Sequence, residues 1–189
     1  MYDLLCKYIS KKTALSEKEI KYICSHFKLE IVKNKQNLVD FNDTCSRYYF
    51  INRGSLRIFT INEEGFENSR LLAFEGTFCT ALPSFIDQKP AFEYLQSLEK
   101  SEVLSISRED FFKLVEEFSA FDKLYREILE ISFIISQQRI YSFQGFDALE
   151  KVKWLIENQP QVLLKVSNKI AASYLGLLPS TLSRVKSKL

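Results

Sequence analysis

The sequence predicts an α+β protein: an antiparallel β-roll flanked by helices, then a long helix and a C-terminal helical hairpin. Three features carry that expectation. From about Leu29 to Ile106, short runs rich in β-branched and aromatic residues are broken by turn signals. From Ser119 to about Ser142, neither Pro nor Gly occurs and apolar residues repeat at helical spacing. The last 23 residues, SNKIAASYLGLLPSTLSRVKSKL, set a glycine and a proline between two short amphipathic stretches.

In chain order, the first 28 residues read as helical. Leu4, Leu5 and Tyr8 form an apolar stripe, and Ser16-x-x-Glu19 is a capping box opening the helix of Ile20, Ile23 and Phe27. The strand-like runs are LEIVKNKQNLVDF, RYYFINRGSLRIFTI, NSRLLAF and EYLQSLEKSEVLSI. Asn42-Asp43, Arg53-Gly54, Glu64-Gly65 and Glu75-Gly76 punctuate them, and Gly65 suits a hairpin tip. Strands of that length fit a compact antiparallel roll or barrel.

The helical period returns at Ser107, an N-cap followed by Glu109 and Asp110, which suit the positive end of a helix dipole. In the long helix, Phe121, Leu124, Ile128, Ile131 and Ile135 follow coiled-coil spacing. A second stripe, Phe118, Tyr125, Leu129, Phe133 and Ile140, lies roughly 90° around the helix. Two stripes predict two contacts, one with the β-roll and one with a second copy of the chain. A single wide core face in a monomer is the alternative. Gly145 ends or bends this helix, Asp147 caps the next one, and Pro160 stops that before a short connector.

The C-terminal stretch reads as a helix-turn-helix. Ser167 is an N-cap, and Ile170, Ala171, Tyr174 and Leu175 recur at helical spacing. Gly176 makes the turn, and Pro179 suits the first turn of the second helix. That helix carries Leu182, Val185 and Leu189 inward and Ser180, Thr181, Ser183, Arg184, Lys186 and Lys188 outward. Charge agrees. The chain has 26 Lys and Arg against 24 Asp and Glu, yet from Lys165 onward five basic residues meet no acidic one. The first 164 residues therefore carry a net −3, and the excess of positive charge sits at an end suited to nucleic acid. So few charges per chain imply two copies acting together.

Other chemistries are disfavoured. Cys6, Cys24, Cys45 and Cys79 are 18, 21 and 34 residues apart, and His26 is the one histidine. That spacing predicts no metal or cluster and instead buried thiols acting as small apolar residues. No GxSxG, P-loop or GxGxxG occurs, so neither an enzyme nor a cofactor is expected. No apolar run reaches a bilayer's width, and the N-terminus lacks the order of a secretory signal, which predicts a cytoplasmic protein away from membranes.

The order of elements resembles the Crp/Fnr family of bacterial transcription regulators. IAASYLGLLPSTLSRVKSKL looks like the helix-turn-helix of that family, and YYFINRGSLRIF like the strand-turn-strand of its cyclic-nucleotide-binding fold. The resemblance implies an effector-type roll over residues 1–118, a dimerisation helix over 119–145 and a DNA-binding domain over 146–189. It implies a homodimer on double-stranded DNA, with RNA polymerase as a further partner. Arg184 is then the main base reader, with Ser180 and Ser183 beside it. Thr181, Lys186, Lys188, Ser167 and Lys169 hold phosphates.

Two departures stand out. The family's nucleotide pocket uses a Gly-Glu pair and an Arg followed by a small hydroxyl residue. Here Gly76 is followed by Thr77, and Phe92-Glu93-Tyr94 stands where the Arg is expected, so cyclic AMP is not the expected ligand and the effector is left open. The chain also stops at Leu189, without the β-wing of many relatives. The competing reading is a ligand sensor or dimeric scaffold whose helix-turn-helix docks a protein.

Overall fold

The computed structural model describes residues 1–189. The chain forms two compact units, Met1–Ile58 with Ala73–Glu130, and Phe59–Leu72 with Ile131–Leu189. The α+β class expected from the sequence is the one observed.

The first unit begins with α1 (Asp3–Lys12) and α2 (Glu17–Ser25). The Ser16/Glu19 capping box forms, with the Ser16 hydroxyl accepting from Glu19 N and the Glu19 carboxylate accepting from Ser16 N. Eight strands follow: β1 (Lys28–Val32), β2 (Asn37–Val39), β3 (Arg47–Arg53), β4 (Ser55–Ile61), β5 (Glu67–Phe74), β6 (Phe78–Cys79), β7 (Tyr94–Ser97) and β8 (Ser101–Ser107). They make two four-stranded sheets, in the orders β1-β8-β3-β6 and β2-β7-β4-β5. The pairings of β8 with β1 and β3 are antiparallel, with Leu104 opposite Leu29 on one side and Phe50 on the other.

Gly54 turns β3 into β4 at φ +99°, where a Cβ would lie 2.3 Å from Ser101 Oγ. Only glycine fits that approach. Between β6 and β7 lies α3 (Leu82–Asp87), and after β8 comes α4 (Arg108–Glu117), capped by the Ser107 hydroxyl. Neither β6 nor α3 was foreseen. Two and six residues are too short to show a period.

The long helix α5 runs from Ser119 to Gly145. Its first half is anchored by aromatic packing, with Tyr125 edge-on to Phe111 at 5.0 Å and Phe111 stacked on Tyr48 at 4.9 Å. Phe121, Leu124 and Tyr125 are buried, whereas Ile131, Phe133, Ile134, Ile140 and Tyr141 are exposed. The division expected around the helix therefore runs along it. Both stripes are buried or half-buried before Glu130, and both become more exposed after it, with Ile135 still half-buried.

The second unit contains the tip of the β4–β5 hairpin, the later part of α5, and four further helices. These are α6 (Ala148–Asn158), α7 (Pro160–Lys165), α8 (Asn168–Leu175) and α9 (Pro179–Lys186). Gly65, at φ +82°, closes the hairpin with Gly65 N donating to Asn62 O. Asp147 caps α6 in a reciprocal box with Glu150. The expected connector after Pro160 is the helix α7, because a proline at N1 starts a helix as readily as it stops one. The small core comprises Val152, Leu155, Val162, Ala171, Ala172, Tyr174, Leu175 and Leu182, all buried. No helix is long and apolar enough to cross a membrane.

Candidate nucleic-acid interface

The C-terminal hairpin has the geometry its residues predict. Ser167 caps α8, accepting from Ile170 N at 3.3 Å, and Gly176 ends α8 in the left-handed region at φ +63°. Leu177 N donates to Ala172 O across the turn, and Leu178 then leads into α9 with Pro179 in the first turn. Leu182 is fully buried, and α9 packs on α6 and α8. Leu189 was expected inside but is exposed, because α9 ends at Lys186 and the last residues leave its axis.

The two helix starts lie side by side. Asn168 Nδ2 donates both to Pro179 O (2.9 Å) and to Ser183 Oγ (3.0 Å), joining the first turn of α8 to the beginning of α9. Each helix N-terminus carries partial positive charge and unpaired N–H groups, so two adjacent ones make an anion-seeking surface. Ser167, Lys169, Ser180 and Ser183 are exposed there, and Thr181 is half-buried. Arg184 and Lys186 are exposed further along α9, and Lys188 lies past its end in a turn closed by Lys188 N on Val185 O. Arg184, Lys186 and Lys188 form no ion pair. The hydroxyls of Ser180 and Thr181 make no hydrogen bond within the chain, whereas Ser183 accepts from Asn168 and Ser167 is engaged as the cap.

A residue without any local sequence signal holds this hairpin in place. Arg139, on α5, donates to Tyr174 O (3.0 Å) and to Ser69 O (3.4 Å) and lies over the Tyr174 ring at 4.0 Å. Burial pushes the Tyr174 hydroxyl pKa up, so the ring stays neutral and its π-face receives the cation. The Tyr174 hydroxyl donates to Gln159 Oε1, and Ser173 Oγ bonds Ser69 Oγ at 2.8 Å. Gly176 faces Phe143, whose Cε1 would be 2.6 Å from an added Cβ. Arg139, Ser69 and Phe143 became visible only when distant segments met.

Residues 29–118 match the cyclic nucleotide-binding domain family. The structure resembles FixK2 from Bradyrhizobium japonicum, with a TM-score of 0.76 at 14% identity over 86% of this chain and 84% of that one. It resembles a CooA mutant from Carboxydothermus hydrogenoformans, with a TM-score of 0.73 at 17% identity over 88% and 78%. A Crp/Fnr-family transcriptional regulator from Eubacterium rectale superposes with a TM-score of 0.70 at 18% identity over 92% and 83%. The chain has the Crp/Fnr fold. No curated protein matches its sequence.

In the Crp/Fnr frame, the segment around α3 is where the resemblance sets the nucleotide cradle. A cleft of about 120 Å³ is present, lined by Ala81, Pro83, Pro90, Ala91 and Phe92 and by the polar Ser84, Asp87, Lys89 and Glu93. Pockets that take small molecules usually begin at roughly 300 Å³. The lining contains no arginine. The Ser84 hydroxyl is already used, accepting from Cys45 N (2.9 Å) and donating to Lys89 O (2.5 Å). Glu93 in that lining is buried.

Proposed function

We propose that this chain is a sequence-specific, DNA-binding transcription regulator that acts as a homodimer. The observation that carries the reading is the pair of adjacent helix starts at α8 and α9, flanked by the exposed cations Arg184, Lys186 and Lys188 and by the hydroxyls of Ser180 and Thr181, all without partners inside the chain. In such motifs the second helix enters the major groove, and the backbone amides and small hydroxyls approach phosphates. Arg184 is assigned the base contact, because a guanidinium can bond O6 and N7 of guanine together. Ser180 and Ser183 supply lesser base or phosphate contacts. Thr181, Lys186, Lys188, Ser167 and Lys169 are assigned to phosphates.

Dimerisation is assigned to the later part of α5. Leaving Ile131, Phe133, Ile134 and Ile140 in water forgoes roughly 1.5–3 kcal/mol for each side chain, and a two-fold seam would cover them. Two copies also answer the small charge of one, since a symmetric dimer addresses both halves of a palindrome. The roll over residues 1–118 is assigned a sensing or scaffolding role without cyclic AMP or cyclic GMP, given the small cleft and the lack of an arginine in its lining.

The test starts from DNA fragments selected by the protein from its own genome. Affinity for a selected fragment, followed against salt, should fall with a log–log slope of roughly −0.9 per phosphate contacted. A protein that selects no common sequence, or whose binding ignores salt, is not a DNA reader of this kind.

A further inference from the structure

Cys6 and Cys24 stand apart from the other two cysteines. Their sulfurs are 3.0 Å apart, and neither is bonded to the other. Cys6 lies on α1 and is half-buried, while Cys24 lies on α2 and is buried. The helices are pinned on either side of the pair. Leu5 and Ile9 are fully buried around Cys6, Ile23 is fully buried beside Cys24, and the Tyr2 hydroxyl donates to Phe27 O at 2.8 Å. Cys45 is occupied differently, its sulfur lying 3.4 Å from Arg47 O and 3.2 Å from Thr80 Oγ1, and Cys79 is buried on β6.

A disulfide needs sulfurs at about 2.05 Å, so closure asks for roughly 1 Å of side-chain movement within an already matched pair of helices. Disulfides in reducing compartments are mostly transient and redox-sensing, which gives such a pair a use. We propose that Cys6 and Cys24 are a redox-reactive dithiol that closes to an intrachain disulfide on exposure to a peroxide. The chemistry balances in two steps. Cys6 loses its proton to solvent and its sulfur attacks one peroxide oxygen; the O–O bond breaks, Cys6 becomes a sulfenic acid, and the other oxygen leaves as hydroxide that takes a proton back from solvent to become water. The Cys24 sulfur then attacks the Cys6 sulfur, the S–O bond breaks, and the hydroxyl departs as water with the Cys24 proton. Two thiols are oxidised, and one peroxide is reduced to two waters.

The order of attack follows from the surroundings. Burial, and next the contact with Cys6, push the Cys24 thiol pKa up, so Cys24 keeps its proton while the more accessible sulfur meets the oxidant. That proton is the one the departing hydroxyl takes. The bridge would lock a helix whose far end is tied elsewhere, since Tyr8 sits edge-on to Phe50 and Phe78 and Lys12 pairs with Glu127 of α5.

The test uses the full chain treated with hydrogen peroxide, then alkylated in denaturant and mapped by mass spectrometry without reduction. The expected product is lighter by two hydrogen atoms before alkylation, with Cys6 and Cys24 peptides linked and Cys45 and Cys79 alkylated. Dithiothreitol should reverse it. The oxidised chain should melt at higher temperature, because the cross-link restricts the unfolded state. Cys6→Ser should abolish the link, and Cys45→Ser should leave it intact. Should Cys24→Ser fail to fold, the peptide map of the unmutated chain decides alone. Oxidation of Cys6 to a sulfinic acid without a link would overturn the proposal. So would a link through Cys45 or Cys79, a bridge between two chains, or no reaction where free glutathione is oxidised.

Discussion

Beside α3, the Ser84 hydroxyl accepts from Cys45 N and donates to Lys89 O, and the remaining walls are alanine, proline and phenylalanine together with Asp87, Lys89 and Glu93. On α9, Ser180, Thr181, Arg184 and Lys186 face outward without hydrogen bonds or ion pairs inside the chain. The hydroxyl in the cleft is satisfied by its own backbone neighbours, while the helix face holds hydroxyls whose partners must come from outside. Low polarity alone does not separate them. The separation lies in whether donors and acceptors are already matched, because a matched hydroxyl gains little from a ligand and an unmatched one keeps its full hydrogen-bonding capacity.

The largest expected effect comes from removing the second copy of that face. Phe133→Asp combined with Ile134→Asp should give a monomer in sedimentation and weaken binding to a palindromic site by about 100-fold or more, the loss expected when two linked contacts become one. Unchanged sedimentation in that variant would place the seam elsewhere. Next, Arg184→Ala should erase the preference at one guanine in each half-site, worth roughly 1–3 kcal/mol, when variant operators are compared by fluorescence anisotropy. A uniform loss across all sequences, with the salt slope reduced by about one unit per site, would make Arg184 a phosphate clamp. Lys188→Ala is expected to behave in that second way.

These expectations rest on parts of the molecule that differ in how plainly the sequence announces them. The helix-turn-helix was legible because its signals are local: Ser167 as a cap, Gly176 at the turn, Pro179 at the next start, and five cations without an acid. The capping box at Ser16 and the cap at Asp147 were legible for the same reason, as was the Gly54 turn; the return bond from Glu150 was not. The brief elements β6, α3 and α7 were not, since none is long enough to repeat an apolar period. The burial of α5 was half legible. Its apolar residues are evident, but which of them meet the roll depends on where the aromatic cluster of Tyr48, Phe111 and Tyr125 stops. Arg139 with Ser69, and Cys6 with Cys24, pair residues 70 and 18 positions apart, and no spacing rule joins them.

A smaller effect is expected at the entrance to α9. Leu178 occupies the N-cap, its side chain makes no cap hydrogen bond, and it is 70% exposed. Leu178→Thr should stabilise the chain by up to about 1 kcal/mol, seen as a modest rise in thermal midpoint. A fall would mean that packing of the leucine, not capping, sets this turn. The smallest expected effect is none: calorimetric titration with cyclic AMP or cyclic GMP at tens of micromolar should give no binding heat. Saturable heat in that range would refute the contrast drawn between the cleft and the helix face.

The hydrogen bonds from Arg139 and Ser173 to Ser69 bear on how the gene can be cut. The strand segment Phe59–Leu72 lies in the middle of the roll by sequence, yet its compact unit is the one that contains the helix-turn-helix. A fragment ending near Gly145 would keep Ser69, which is 4% exposed, while discarding Ser173 and Tyr174. A fragment beginning at Ile131 would keep Arg139 and Tyr174 but lack the Ser69 carbonyl, one of the two that Arg139 holds. Neither piece is a self-contained module, so recombining this C-terminal segment with another sensor requires exchanging the hairpin together with it.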